Sequence, residues 1–309
     1  MILKDENLDN EKIIKLAIQD MISNGSINNS QHEIVSITNN LVVKVDGKFL
    51  KVYIPGNSAI QDNELLLYNK SKRPDLYKKM LFAGTVKTEK GKYKYALFES
   101  VLGKTIDEID YTQEIAFNVS KTVFDYIQDT AQIKCTGFGN FNKSFKGAYT
   151  NFPEFVFDLL HKTSTTLFME SSTRKYSKLG YELLADNADL IKIDKSSIIP
   201  VDLNFRNIMV TGCNKIIIAD PGALIAGPVE MSYGEMMAHG YGTRIYEEFK
   251  KNICDANESL IRLFAILSLL NILAFIINLG LNPTQAKPFG NPNTFFDLIE
   301  EHSAHFTFY

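Results

Sequence analysis

The sequence has no tryptophan and only three cysteines in 309 residues. The missing tryptophan excludes no function. The cysteines exclude more: Cys135, Cys213 and Cys254 are odd in number, far apart and without a Cys-x-x-Cys pair. A disulfide framework and a structural zinc site are therefore not expected. One-sided charge is also missing. Lys and Arg total 33 against 36 Asp and Glu, a net of −3, without the basic excess that a nucleic-acid surface calls for. The first ten residues, MILKDENLDN, are polar and acidic, unlike a secretory signal. No repeat or low-complexity tract occurs. The expectation is a cytoplasmic protein with no nucleic-acid partner, a monomer or a homodimer. Its 45% hydrophobic and 22% charged residues are ordinary for a chain that buries a sizeable core.

One segment contests that reading. Leu263 to Leu281, LFAILSLLNILAFIINLGL, carries no charge and is nearly long enough to span a bilayer. Ser268, Asn271 and Asn278 interrupt it, and it has no aromatic or cationic belt. A helix apolar on all sides also suits the centre of a helical lobe. Buried core is the reading we take, with no membrane; membrane anchoring is the alternative.

The first hundred residues pattern as antiparallel sheet. Asp9 or Asn10 can cap a helix over 9–23, with Ile13, Ile14, Ala17, Ile18, Met21 and Ile22 on one face. Strands follow over 33–38, 41–45 and 48–53, with Asp46-Gly47 as a hairpin turn. A helix over 59–69 and strands over 81–87 and 92–98 complete the segment. After Gly103 helical patterns dominate, over 111–131, 152–169, 173–188, 229–238, 243–253, 257–279 and 293–302. Between them, Ile198 to Val201 and Ile208 to Thr211 read as a short strand pair. The fold class is α+β, protein-kinase-like and two-lobed. The expected division is a nucleotide-binding lobe over 1–100 and a mainly helical catalytic and substrate lobe over 101–309.

The chemistry concentrates in IIPVDLNFRNIMV and NKIIIADPG. Asp202 and Asn207 stand in a D-x4-N spacing between apolar strands, and Asp220 ends the next apolar strand. Phosphoryl transfer needs Mg2+ held on nucleotide phosphates and a hydroxyl oriented for attack. Mg2+ favours a few hard oxygens, which Asn207 and Asp220 offer, leaving Asp202 to accept the hydroxyl proton. A lone D-x4-N reads equally as a capped hairpin with solvated ends. Upstream, however, FLKVY carries Lys51, and thirteen residues on stands Glu64. A phosphate-binding Lys needs a carboxylate to fix its flexible stem. Alone, Lys51 reads as an edge-strand lysine and Glu64 as a solvated helix face; the order of all five favours function.

The set resembles the aminoglycoside phosphotransferase-like kinases, the group that includes choline, fructosamine and methylthioribose kinases and antibiotic phosphotransferases. The resemblance runs from about Leu41 to Gly242. It implies Lys51 and Glu64 at the phosphates of ATP or GTP, Asp202 as base, and Asn207 and Asp220 on Mg2+. ALFESVLGKTI (96–106) resembles the hinge, which implies nucleotide-base contacts from the backbone at Glu99 to Val101. Ser36 to Asn40 stands where the family covers the phosphates. The sequence departs from the family in two places. The His-Gly before the catalytic Asp is Pro200-Val201, so the loop needs another support. A second structural acid is replaced by Ser232. A catalytically weak, nucleotide-binding pseudokinase with a regulatory role is therefore an alternative, and so is an acceptor of choline, fructosamine or methylthioribose type. No A-P-E-like element follows Asp220, which favours a small molecule over a protein as acceptor.

Weaker signals absorb less. Cys135 to Asn142, CTGFGNFN, reads as a turn cluster, His302 and His305 as surface residues, and Cys213 as a hairpin residue with no base to activate it. Within 255–309, Arg262 and Lys287 face Asp255, Glu258, Asp297, Glu300 and Glu301, so the whole net charge lies in the last segment. Glu230, Glu235, Asp297 and Glu300 are the candidate substrate acids. They lean toward a small, polar, cationic acceptor such as an aminoglycoside or amino sugar.

Overall fold

The computed structural model describes residues 3–37, 40–54, 58–142 and 144–306. It divides into two compact units, Met1–Leu102 and Gly103–Tyr309. The first is α+β with an antiparallel sheet, and the second is larger and mainly helical.

The first unit begins with α1 (Leu3–Ser23). This helix starts six residues before the expected cap, because Leu3 to Asn10 contains no Gly or Pro to stop it. The strands are β1 (His32–Ile37), β2 (Asn40–Val45), β3 (Lys48–Tyr53), β4 (Met80–Thr88) and β5 (Gly91–Phe98). The helix α2 (Ser58–Lys70) lies between β3 and β4 in sequence. The sheet order is β1-β2-β3-β5-β4, antiparallel throughout.

Strand alternation sends successive side chains to opposite faces. Leu50 and Val52 join Leu41, Val43 and Leu97 beneath Ile13, Ile14, Ala17, Ile18 and Met21 of α1. The other face collects Tyr53, Ala96 and Phe98 with Ile60 and Tyr68 of α2. Lys51 shares that second face with Tyr53. It therefore sits on the central strand of the sheet beside α2, not on an edge strand.

In the second unit come β6 (Gly103–Thr105), α3 (Gln113–Ala131), β7 (Phe138–Phe141), β8 (Gly147–Tyr149), α4 (Phe152–Met169) and α5 (Tyr176–Asp186). There follow β9 (Ser197–Pro200), β10 (Ile208–Thr211), β11 (Ile216–Ile218) and β12 (Leu224–Gly227). The chain finishes with α6 (Val229–Gly240), α7 (Arg244–Lys250), α8 (Glu258–Asn278) and α9 (Phe295–Ala304). The expected pairing of Ile198–Val201 with Ile208–Thr211 is corrected: β9 pairs with β12, and β10 with β11 and β6. The turn reading of 135–142 is corrected too, since β7 joins the sheet β8-β7-β12-β9. Gly139 lies at φ +80, and a Cβ there would come within 2.8 Å of Phe155. Its glycine therefore serves packing within a strand.

The apolar segment forms α8, packed against α4, α5, α6 and α9. Among the described residues it is the one helix long and apolar enough to cross a membrane, and most of it is buried. Gly234 of α6 allows the close crossing, because a Cβ there would sit 2.7 Å from Phe264 Cβ and 2.9 Å from the backbone of Ile261 and Ala265. Asn257 caps α8 by accepting from Leu260 N–H at 3.1 Å.

Candidate active site

Lys51 and Glu64 are buried, with 9% and 1% of their surface exposed. Lys51 Nζ donates to Glu64 Oε1 at 2.8 Å. The Tyr53 hydroxyl donates to the other carboxylate oxygen, and its ring lies 5.0 Å beneath the ammonium. Two charges withdrawn from water endure only when paired and hydrogen-bonded. The β3–α2 contact provides both conditions.

Among the other first-unit residues, Asn40 opens β2 opposite Tyr53. It is buried, and its Oδ1 lacks a hydrogen-bond partner. Ser36 is half-buried and faces Val42 just past a bulge in β1. Thr38 and Asn39, between them in the expected phosphate cover, lie outside the described residues. Glu99 follows β5; its N–H donates to Lys79 O at 3.0 Å, and its carboxylate accepts from Lys79 N–H at 3.1 Å. Val101 is half-buried near the end of this unit.

In the second unit the segment 201–207 links β9 to β10. Phe205 anchors it, with no exposed surface, and a single 3-10 turn, Phe205–Asn207, closes it. Asn204 caps that turn by accepting from Arg206 N–H at 3.0 Å. Asp202 has φ +69, a left-handed conformation that is uncommon for any residue with a side chain and is held by surrounding bonds.

Those bonds are specific. Asn207 Nδ2 donates to the Asp202 carbonyl at 2.9 Å and to its carboxylate Oδ2 at 3.0 Å. Asn204 Nδ2 donates to Oδ1. The Asn207 carbonyl accepts from Ala219 N–H at 2.8 Å, which ties Asp220's neighbour to this turn. Asp220 is half-buried. The amide nitrogen of Asn207 is used on Asp202, so its amide oxygen is the donor suited to a cation, together with the Asp220 carboxylate. A neutral oxygen and a carboxylate fit Mg2+, which takes few protein ligands and completes its shell with phosphate and water.

The Asp202 carboxyl is pushed up to about 6. Enclosure by protein is the main cause, opposed by the nearby His239 charge and the Asn204 bond and reinforced by the negative charges of Glu235 and Asp220. The residue as a whole is nevertheless exposed to solvent.

The candidate substrate acids separate. Glu235 lies against Asp202, with both of its carboxylate oxygens engaged by the fold. Its Oε1 accepts from Asp202 N–H at 3.2 Å and from His239 Nε2 at 3.2 Å, and its Oε2 accepts from Ser268 Oγ. These bonds outweigh its desolvation and hold its carboxyl below the usual range. Asp297 closes a capping box with Thr294 at the start of α9. Glu300 accepts from Lys175 at 2.6 Å and Tyr176 at 3.0 Å. Both are occupied by the fold. Glu230 is half-buried in the first turn of α6.

Two contacts near the loop were not foreseen from sequence. Arg206 Nε donates to Asp107 at 3.0 Å and its guanidinium lies 3.7 Å over the Phe289 ring. Ser232 Oγ donates to Pro200 O at 2.6 Å. Both link positions far apart in sequence, and no local pattern signals either. Among the described residues no cluster of three or more His, Cys, Asp or Glu could hold a metal. An Asn–Asp pair lies outside that pattern.

A five-stranded antiparallel unit followed by a larger, mainly helical unit is an aminoglycoside phosphotransferase-like kinase fold. Solved structures share it. Apo aminoglycoside phosphotransferase APH(4)-Ia, as a thermostable mutant, superposes with TM-score 0.67 at 13% identity, covering 93% of this chain and 95% of that one. The GDP complex of aminoglycoside 2'-phosphotransferase-IIIa gives 0.61 at 13% identity, over 94% and 99%. The choline kinase LicA from Streptococcus pneumoniae matches at 13% identity over 95% and 98%, with TM-score 0.61. At such identities the likeness is one of fold. No family model and no curated protein matches the sequence.

Proposed function

We propose that the protein is a phosphotransferase that moves the terminal phosphate of ATP or GTP to a hydroxyl of a small polar molecule. The observation that carries this reading is the Asp202 loop. A carboxylate in a left-handed conformation is oriented by two asparagine amides, with a second carboxylate, Asp220, close enough to act on its charge. The structural neighbours support it. A second thermostable variant of APH(4)-Ia was solved as a ternary complex with AMP-PNP and hygromycin B.

In this reading Lys51, braced by Glu64, neutralises charge on the nucleotide phosphates. Asn207 and Asp220 would hold Mg2+, which when bound screens the phosphates and helps align them. Asp202 accepts a hydrogen bond from the acceptor hydroxyl and takes its proton as the oxygen attacks. A carboxyl raised toward neutrality is a better proton acceptor than an ordinary one. The backbone at Glu99 to Val101 contacts the nucleotide base, and Ser36 and Asn40 lie on the strands that flank the phosphates.

The acceptor class is a small polar molecule, with a cationic one favoured. The acidic last segment gives this weaker support than its charge suggested, because Asp297, Glu300 and Glu258 are bound to Thr294, Lys175 and Arg262. Glu230 remains the acid best suited to an acceptor. A cytoplasmic setting agrees with three unpaired cysteines. The test is a nucleotide-coupled screen over aminoglycosides, fructosamines, choline and methylthioribose with Mg2+ present. Turnover of one acceptor supports the reading. Tight Mg-nucleotide binding with no turnover of any would favour the pseudokinase.

A further inference from the structure

We infer that Glu235 is a positioning residue, which sets the conformation of Asp202 from one face of α6. The inference rests on the reading of Asp202 as the base. Asp202 at φ +69 needs bonds that over-determine it, and the preceding Pro200 has no N–H to contribute. Two side chains of α6 hold the backbone on either side of Val201. Ser232 Oγ donates to Pro200 O at 2.6 Å, and Glu235 Oε1 accepts from Asp202 N–H at 3.2 Å. They are three residues apart, so they share one helix face.

Glu235 is in turn fixed from two directions. His239, one turn further along α6, meets the same oxygen at 3.2 Å. A carboxylate only accepts, so His239 Nε2 carries the proton. Ser268 Oγ donates to the other oxygen from α8, the central helix of the unit. Asn291 Nδ2 donates to the His239 and Tyr241 carbonyls at 3.1 and 3.0 Å, tying down the end of α6. Asp202 is thus connected to the core helix through one carboxylate, whose side chain is 12% exposed. A buried acid with both oxygens engaged is built to orient its partner.

The test uses Glu235→Gln and Glu235→Ala. Glutamine can reproduce the geometry, because its oxygen accepts from Asp202 and His239 while its amide nitrogen donates to Ser268. Alanine cannot. Loop misplacement of this kind is worth roughly 10²-fold in rate, so Glu235→Ala should lower kcat by about that factor at unchanged nucleotide KM, and Glu235→Gln should stay within about threefold of wild type. The second readout is amide hydrogen exchange at Asp202, which needs no turnover. Exchange there should speed up at least about tenfold in Glu235→Ala with the rest of α6 still protected, and stay slow in Glu235→Gln. Unchanged exchange in Glu235→Ala, or a glutamine variant that behaves like alanine in both readouts, overturns the inference. If the exchange results are as expected while wild-type protein transfers no phosphate, the positioning role stands and the reading of function falls.

Discussion

Removing Lys51 tests whether its burial has the energetic character the structure gives it. Lys51→Met deletes the ammonium and leaves Glu64, 1% exposed, as a buried carboxylate held by the Tyr53 hydroxyl. Breaking one side of a buried pair costs about 3–5 kcal/mol, whereas an exposed pair is worth about 0–1. Here the remaining Tyr53 bond places the expected loss near the lower end, about 3 kcal/mol. Glu64→Leu should destabilise as well, because it removes the carboxylate that Lys51 and the Tyr53 hydroxyl both bond. Changing Lys51 to Met, Glu64 to Leu and Tyr53 to Phe together replaces all three polar groups of this cluster at nearly constant volume. That triple variant should return to within about 1 kcal/mol of wild type or exceed it, yet lose nucleotide binding. The assay is urea unfolding by circular dichroism, alongside nucleotide titration. Single variants that each lose less than about 1 kcal/mol would refute the buried-pair reasoning. A stable triple variant that still binds nucleotide would refute the functional assignment.

Other outcomes follow from particular contacts. Gly234→Ala should lower stability by about 1–3 kcal/mol, seen as a fall in Tm, since its new Cβ meets the backbone of α8. His302 is buried and its pKa is pushed down to about 3, mainly by desolvation. The unfolded chain therefore takes up a proton below about pH 6.5 that the folded chain refuses until about pH 3. This contribution to stability is complete above about pH 6.5 and is lost on acidification, by up to about 1.4 kcal/mol per pH unit. His302→Leu should flatten that slope in urea midpoints measured from about pH 7 to 5; an unchanged slope contradicts it. Asn207→Ala should raise the Mg2+ concentration for half-maximal turnover by roughly tenfold or more. No shift would remove Asn207 from the metal assignment.

Much of the fold was legible because periodicity and caps are local. The expected range of α4 matches its observed bounds, Phe152–Met169, and β3 was likewise read in place. What failed was non-local. Strands of three or four residues such as β9 and β12 are too short to show a period, and their pairing depends on the whole chain. Gly137 and Gly139 disguised β7 as a turn. His302 read as a surface residue near a chain end, yet it lies buried beside Arg262, which donates to its Nδ1 at 3.3 Å, and Tyr241, with ring centroids 4.6 Å apart. The five residues of the phosphotransfer reading stood out by their order. The bonds that orient them did not: Glu235 was visible as an acid, while its partners Asp202 and Ser268 are both 33 positions away.

The most direct measurement is transfer of labelled terminal phosphate from Mg-nucleotide to an acceptor, by wild type and by Asp202→Ala, with nucleotide affinity determined in parallel. A general base contributes roughly 10²–10⁴-fold. Transfer should therefore fall by at least about a hundredfold while the nucleotide Kd stays within a few-fold of wild type. Undiminished transfer by Asp202→Ala would contradict the account.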